Sequence, residues 1–248
     1  MYSYLKTIGE EPLKSAFRKV GLEVTASSGA MVEYAVLSRL LRERNIDLVI
    51  DVGANTGQYG GLLRHLRYKG NIFSIEPLAS AHRELLKKSN CDENWIVLPR
   101  MAVGAIRGKI TINVSNNSVS SSLLPLLPSH VSSAPNSSYI STETVNLERL
   151  DDCMKEHVGN AYKSILLKID TQGYEDAVLD GAVELLSQVD VVQCELSLRP
   201  LYEGQKLIED VISKLRTFGF MPVALVPDFK DPKTHELLQC DGFFCRTF

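Results

Sequence analysis

The 248-residue sequence lacks a strong charge of either sign, and it lacks a long apolar run. Thirty acidic residues against 27 Lys and Arg give a formal net charge of -3, so the chain has no overall positive field for nucleic acid or anionic membrane. No window approaches the roughly 18 apolar residues of a membrane span. Residues 1–21 contain no apolar stretch typical of a secretory signal. We therefore expect a cytoplasmic protein with no membrane span and no nucleic-acid partner.

Cysteine and histidine are too sparse for a metal site or a disulfide framework. The five cysteines form no C-x-x-C pair, and the five histidines stand singly. A structural zinc site would need these residue types in clusters. We expect unpaired cysteines and no bound metal.

Short apolar runs alternate with amphipathic helical patterns after residue 45. The runs are rich in β-branched residues and cover 48–52, 71–76, 164–170 and 190–196, and the helical patterns cover 58–68, 79–88 and 174–187. Near-continuous apolar strands alternating with helices predict an α/β fold with a mostly parallel sheet covered on both faces.

The two ends of the chain and its middle depart from this alternation. Residues 1–45 are predicted to be a helical extension that caps the sheet or forms an oligomer contact, and residues 46–248 a single domain. In 104–146 the pattern GKITINV predicts a strand, followed by a polar loop rich in Ser, Asn and Pro. Near the C terminus, FMPVALV and LLQCDGFFCRTF predict two strands with no room for a helix between them. The last strand is therefore expected to be antiparallel.

A glycine-rich turn follows the first predicted strand. Asp51 ends that strand, Gly53 and Gly57 permit a tight turn, and a helix is expected to begin at Gln58. Such a turn presents backbone N–H groups to a nucleotide-like cofactor. The order G-x-x-x-G differs from the G-x-G-x-x-G of dinucleotide sites, because Asn55 stands where a glycine is needed. A carboxylate at 51 suits a cationic group, and Glu76 at the end of the second strand suits a ribose, which favours S-adenosylmethionine over NAD.

Several motifs resemble, in chain order, the FkbM-type methyltransferases. They are DVGANTGQYG, SIEPLASA, NNSVSSSLL, LLKIDTQGYEDAVLDGA and DGFFCR, and they extend from about residue 45 to the C terminus. The resemblance implies a class I methyltransferase fold with seven strands, the last antiparallel. It also implies S-adenosylmethionine as methyl donor and a hydroxyl acceptor on a sugar, polysaccharide or related natural product. One departure is Gln172, where many members carry Glu.

The resemblance also implies roles for individual residues. It places the methionine part of the cofactor on Asp51, Gly53, Asn55 and Gly57, the ribose on Glu76, the adenine beside Met101 and Ala102, and the methyl group near Asp170.

Three residues are candidates for the base that takes the proton of an alcohol acceptor. Asp170 follows an apolar strand and should reach the same sheet edge as the glycine turn, although it could instead cap a helix or only bind the cofactor. Glu195 lies on the neighbouring strand and could equally form a buried ion pair with Lys168 or Arg199. His130 could swing in from the polar loop, although a solvated loop histidine is the simpler interpretation.

The polar loop and one aromatic residue are candidates for acceptor binding. Asn117, Ser120 and Ser121 offer small polar groups suited to a polyhydroxylated acceptor, and Tyr202 could stack on a sugar ring or simply pack. Three alternatives stay open: an NAD-dependent oxidoreductase or epimerase, a non-catalytic scaffold, and transfer to nitrogen. Self-association into a homo-oligomer stays open as well.

Overall fold

The computed structural model describes residues 29–117, 119–159 and 161–247. It contains ten strands in this part of the chain: β1 (Leu48–Val52), β2 (Asn71–Ile75), β3 (Trp95–Val97), β4 (Ala102–Val103), β5 (Gly108–Ser115), β6 (Tyr139–Glu148), β7 (Ile165–Ile169), β8 (Val189–Ser197), β9 (Phe220–Pro227) and β10 (Gln239–Arg246). The four predicted apolar runs coincide with β1, β2, β7 and β8, because strands buried on both faces are apolar along their whole length.

Seven strands form the main sheet in the order β3-β2-β1-β7-β8-β10-β9. The pairs β2–β3, β1–β2, β1–β7 and β7–β8 are parallel, whereas β10 is antiparallel to both β8 and β9. The predicted antiparallel last strand is therefore confirmed. The strand order reverses between β1 and β7, and in open α/β sheets a crevice for ligands forms at the carboxyl ends of the strands at such a reversal.

Helices cover both faces of this sheet, as predicted. In the described residues they are α1 (Gly29–Glu43), α2 (Gln58–His65), α3 (Ala79–Ser89), α4 (Pro128–Ser133), α5 (Leu150–Val158), α6 (Glu175–Asp180), α7 (Val183–Leu186) and α8 (Ile208–Thr217). Leu48 and Ile50 of β1 share one apolar cluster with Leu150 of α5, whereas Val49 joins a second cluster with Leu37 of α1. Successive side chains of β1 thus point to opposite faces of the sheet, and each face has its own apolar core.

The helical extension is described only from residue 29 onward. Residues 1–28 lie outside the described residues. The domain boundary at 45/46 stays a prediction. The described helix α1 buries Leu37 and Leu40 in the same apolar cluster as Leu63 of α2. Within the described ranges, no helix is long and apolar enough to cross a membrane.

A second sheet of three strands, in the order β4-β6-β5, lies beside the main sheet. The sequence predicted β5 but not β6, which falls at the end of the segment that we interpreted as polar loop. Strand β6 buries only two apolar side chains, Val145 and Leu147, which pack with Ile112 of β5 and Leu78. A strand rich in Ser and Thr with so few buried positions has too weak a pattern to be recognised from sequence.

The predicted helix over 174–187 is interrupted at Gly181. A Cβ at Gly181 would lie 2.9 Å from the carbonyl carbon of Gly104 and closer still to its oxygen, so the chain packs backbone against backbone there. The Asp151 N–H also donates to the Gly181 carbonyl (2.8 Å). These tertiary contacts divide the helical pattern into α6 and α7. The helix predicted over 58–68 also ends earlier, at His65.

Candidate active site

The glycine turn after β1 lies at the reversal of the strand order. Gly53 has φ 81, and a Cβ there would lie 2.9 Å from the carbonyl carbon of Asp170 and closer to its oxygen. The N–H groups of Gly53 and Ala54 both donate to the Ile75 carbonyl (3.1 and 3.0 Å). The ends of β1, β2 and β7 therefore meet around a position that only glycine can occupy without displacing the neighbouring backbone.

Glu76 holds this turn against the end of β2. Its Oε2 accepts the N–H of Asn55 and its Oε1 that of Leu78, both at 2.7 Å. Asn55 has a left-handed backbone (φ 47), and its Oδ1 accepts the N–H of Thr56 (2.8 Å). Burial raises the pKa of Glu76 to about 7, and the two backbone N–H groups limit that rise.

A buried ion-pair network lies at the ends of β1 and β7. The Lys168 Nζ lies 3.4 Å from Asp51 Oδ1 and 3.2 Å from Asp170 Oδ2, and it lies 5.3 Å from the centre of the Tyr59 ring. Burial raises the pKa of Asp51, although Lys168 opposes the rise. Burial acts to lower the pKa of Lys168, but the carboxylates of Asp170 and Asp51 outweigh it and raise that pKa. The lysine is therefore held as a cation between two acids.

The Gln172 side chain bridges the two candidate carboxylates Asp170 and Glu195. Its Nε2 donates to Asp170 Oδ1 (2.8 Å) and lies 3.0 and 3.2 Å from the two Glu195 oxygens. Its Oε1 accepts the Tyr202 hydroxyl (2.8 Å), and its backbone carbonyl accepts the Ser122 hydroxyl (2.6 Å). Gln172 thus joins β7, β8 and the polar loop.

Further acids lie beside Glu195 on one wall of the site. Asp241 of β10 is paired in register with Glu195 of β8, and Asp228 follows β9. Burial raises the pKa of Glu195 well above its ordinary value, and nearby carboxylates, first that of Asp170, raise it further. For the same reasons the pKa of Asp241 rises to about 8, and that of Asp228 is also raised. The carboxyl groups on this wall therefore stay protonated at pH values at which exposed carboxyl groups are ionised.

The polar loop is ordered by its own hydrogen bonds. Asn117 Oδ1 accepts the Ser115 hydroxyl (2.9 Å) and the Ser120 N–H (3.1 Å), and Asn117 Nδ2 donates to Ser120 Oγ (3.0 Å). Ser121 Oγ accepts the N–H of Ser115 (2.9 Å). Ser120, Ser121 and Ser122 are buried. The loop therefore presents a preorganised polar surface rather than a solvated one.

His130 and Tyr202 lie differently from our expectations. His130 is buried in α4, with its ring 5.1 Å from that of Tyr202 and 5.8 Å from that of Phe229. Burial lowers its pKa, so it is held neutral, and its Nδ1 has no hydrogen-bond partner among the described residues. Tyr202 is fully buried behind Gln172 and does not line the cavity. It packs on Gly173 and so is not placed to stack on a sugar ring.

These residues surround one cavity of about 570 Å³. The structure brings together eleven of the predicted residues in its lining: Gly53, Asn55, Glu76, Met101, Ala102, Asn117, Ser120, Ser121, His130, Asp170 and Glu195. Asp51 and Gly57 lie outside the lining. Asp51 is fully buried beside Lys168, and Gly57 (φ 80) precedes α2 and packs near Leu85.

Sequence reasoning missed the four further charged residues of the lining: Glu33, Lys168 as part of the site, Asp228 and Asp241. Lys168 and Asp241 belong to the motifs KID and DGF, and this is a signal that we did not use. Glu33 lies on an amphipathic helix, where an acidic residue on the polar face is common. Nothing in the sequence therefore marked it as a site residue. Among the described residues, no group of three or more His, Cys, Asp or Glu side chains could hold a metal ion. The absence of a metal stays a prediction.

Comparison with known proteins defines the family. Residues 51–222 match the family described as methyltransferase FkbM domain. The chain belongs to the FkbM methyltransferase family. It is 28% identical over 190 residues to the 2-O-methyltransferase NoeI of Sinorhizobium fredii (strain NBRC 101917 / NGR234), which covers 72% of this chain and 74% of that protein.

Solved structures agree on the fold. An rRNA methylase from Streptococcus thermophilus is similar with a TM-score of 0.50 and 9% identity, covering 91% of this chain and 100% of that one. The METTL16 MTase domain is similar with a TM-score of 0.50 and 11% identity, covering 91% and 70%. These structures show a class I methyltransferase fold. The family match shows an S-adenosylmethionine-dependent methyltransferase, and the alternative of an NAD-dependent oxidoreductase is set aside.

Proposed function

We propose that this FkbM-family enzyme transfers the methyl group of S-adenosylmethionine to a hydroxyl of a sugar, polysaccharide or related natural product. The observation that carries the proposal is the position of Asp170. Its carboxyl group is 37% exposed, it lies at the carboxyl end of β7 in the cavity wall, and its backbone adjoins the Gly53 turn. The 2-O-methyltransferase relative supports a hydroxyl acceptor.

The residues around the turn fit S-adenosylmethionine. We assign the methionine part of the cofactor to the turn that contains Gly53, Asn55 and Gly57, above the buried Asp51 carboxylate, which favours a cationic group. Each Glu76 oxygen accepts one backbone N–H and keeps a further lone pair for a ribose hydroxyl. Met101 and Ala102 supply an apolar wall for the adenine.

Asp170 is placed to accept the acceptor's proton. When bound, S-adenosylmethionine would supply a methyl group on a positively charged sulfur, and that sulfur would keep the electrons of the broken C–S bond. The Asp170 carboxylate would accept the proton that the acceptor hydroxyl loses as its oxygen is methylated. Lys168 and Gln172 both donate hydrogen bonds to this carboxylate and hold it in place at the cavity wall.

Glu195 and His130 have different roles in this scheme. Burial and the neighbouring carboxylates raise the pKa of Glu195, so its carboxyl holds a proton more readily than an exposed one and can donate a hydrogen bond to the acceptor. His130 is neutral and can accept or donate through Nδ1. We assign acceptor contacts to these two groups and to Asn117, Ser120 and Ser121 across the cavity.

The test is a methyl-transfer assay with isotopically labelled S-adenosylmethionine and a panel of sugars, with amino sugars and simple amines beside them. We expect label on a sugar hydroxyl. Asp170→Asn should lower kcat about 100-fold or more, with affinity for S-adenosylhomocysteine within a few-fold. Asp180→Asn, the same change at an exposed position of α6, is the matched control. Label only on amines, or an unimpaired Asp170→Asn enzyme, would overturn the proposal.

A further inference from the structure

We propose that Gln172 is a positioning residue for methyl transfer, whose side-chain amide separates the carboxylates of Asp170 and Glu195 and holds Asp170 toward the acceptor. The inference rests on the proposed function, in which Asp170 accepts the proton. In this inference Gln172 acts through Asp170 and need not contact either the cofactor or the acceptor.

Every polar group of Gln172 that the inference uses has a partner. The Nε2 amino group faces both carboxylates, at 2.8 Å from Asp170 and 3.0 Å from Glu195. The Tyr202 hydroxyl donates to Oε1 at 2.8 Å. An ionised carboxylate can only accept hydrogen bonds, so the amide must present Nε2 to Asp170, and it then presents Oε1 to the tyrosine hydroxyl. The orientation of the amide is therefore determined from both ends.

The backbone of Gln172 is fixed as well. Its φ of 54 lies in the left-handed region, and its carbonyl accepts the Ser122 hydroxyl at 2.6 Å. Ser122 Oγ in turn accepts the N–H of Leu124 (3.0 Å). The polar loop that forms the acceptor side of the cavity is thereby tied to the residue that orients the base.

The charges around Gln172 explain why an amide is needed. Gln172 contacts Asp170 after β7 and Glu195 of β8. Three further acids act on Glu195: Glu175 at the start of α6, Asp241 of β10 and Asp228 after β9. Lys168 already contacts two carboxylates. An uncharged donor at 172 lets Asp170 and Glu195 lie close together. A carboxylate there would add a negative charge in direct contact with Asp170, and the cluster would retain an extra proton.

The decisive variant is Gln172→Glu, which keeps the side-chain shape and replaces the amide donor with a carboxylate. We would titrate the side-chain carboxyl groups of ¹³C-labelled protein by NMR, without acceptor, and measure kcat and KM against pH. We expect the Asp170 midpoint and the acidic limb of kcat to move up by about one pH unit or more, with a smaller change in KM. Gln188→Glu adds the same charge at an exposed position and should shift neither midpoint.

The outcomes separate positioning from a merely structural role. A Gln172→Glu protein with wild-type titration midpoints would overturn the inference. This holds even if the substitution lowered the melting temperature and lowered kcat by the same factor at every pH. If that variant does not fold, Tyr202→Phe removes only the hydroxyl that orients the amide. It should lower kcat about three- to tenfold with KM nearly unchanged, and a wild-type kcat would overturn the inference. The NMR titration needs no acceptor, so it stays readable if no sugar is methylated and the proposed function fails.

Discussion

Replacing Gly53 with alanine tests whether the close contact between β1 and β7 builds the cofactor site. The added Cβ would lie 2.9 Å from the carbonyl carbon of Asp170, and alanine would have to adopt φ 81. The left-handed backbone costs an L-residue about 1–2 kcal/mol. Moving the strand ends apart would also weaken the bond from Asp170 N–H to Val52 O (3.1 Å), worth about 1 kcal/mol. We therefore expect a loss of about 2–3 kcal/mol in the free energy of unfolding.

The assay is urea unfolding followed by circular dichroism, together with calorimetric titration of S-adenosylhomocysteine. For a chain of this size the loss corresponds to a fall of about 4–12 °C in melting temperature. Cofactor-product affinity should fall at least tenfold, because the turn can no longer pack on Asp170. Gly108→Ala is the control, since a Cβ there meets nothing within 4 Å. A Gly53→Ala protein with the stability and affinity of the control would refute the reasoning.

Three further predictions concern buried charge and the polar loop. Burial raises the pKa of Glu76 from 4.5 to about 7 on folding. Between these two pH values the folded chain therefore binds more protons than the unfolded chain. Glu76 thus makes the free energy of unfolding fall as pH rises from 4.5 to about 7. Glu76→Gln should flatten that fall in urea titrations at several pH values; an unchanged slope would contradict the assignment. Lys168→Met should cost about 3–5 kcal/mol of unfolding free energy by leaving buried Asp51 uncompensated. Adding Asp51→Asn should recover part of the loss, whereas strictly additive losses would argue against the ion pair. Ser122→Ala should raise acceptor KM about three- to tenfold in steady-state assays, unlike exposed Ser187→Ala; equal KM values for the two variants would exclude a role of this loop.

The position of Gln172 shows how a departure from a family pattern gains meaning from the structure. In the sequence it was a missing negative charge that put any role for such a charge in doubt. In the structure the amide reaches two carboxylates and a tyrosine hydroxyl at once. The lost charge is therefore accompanied by a gain in hydrogen bonding, which only the neighbouring elements reveal.

The sequence by itself determined six of the seven strands of the main sheet and the kind of cofactor; the short strand β3 was not predicted. The run 48–52 was predicted to be a strand buried on both faces because it is short, almost entirely apolar and rich in β-branched residues. The turn beginning at Gly53 follows it without interruption. Chain-local patterns such as these reflect the period of the backbone and the freedom of glycine, so they can be recognised before any contact is known. The order of the family motifs then placed the ends of β1, β2 and β7 at one edge.

Only the tertiary structure decided which side chains line the cavity. Asp228 and Asp241 are far from the glycine turn in sequence, and they reach the cavity because β10 lies between β8 and β9. Glu33 reaches the cavity because α1 packs over the sheet. Tyr202 looks like a surface aromatic in the sequence but is buried behind Gln172. Strand β6, with two buried apolar residues, is a strand because β5 pairs with it. Such features depend on packing between distant segments, which no local periodicity encodes.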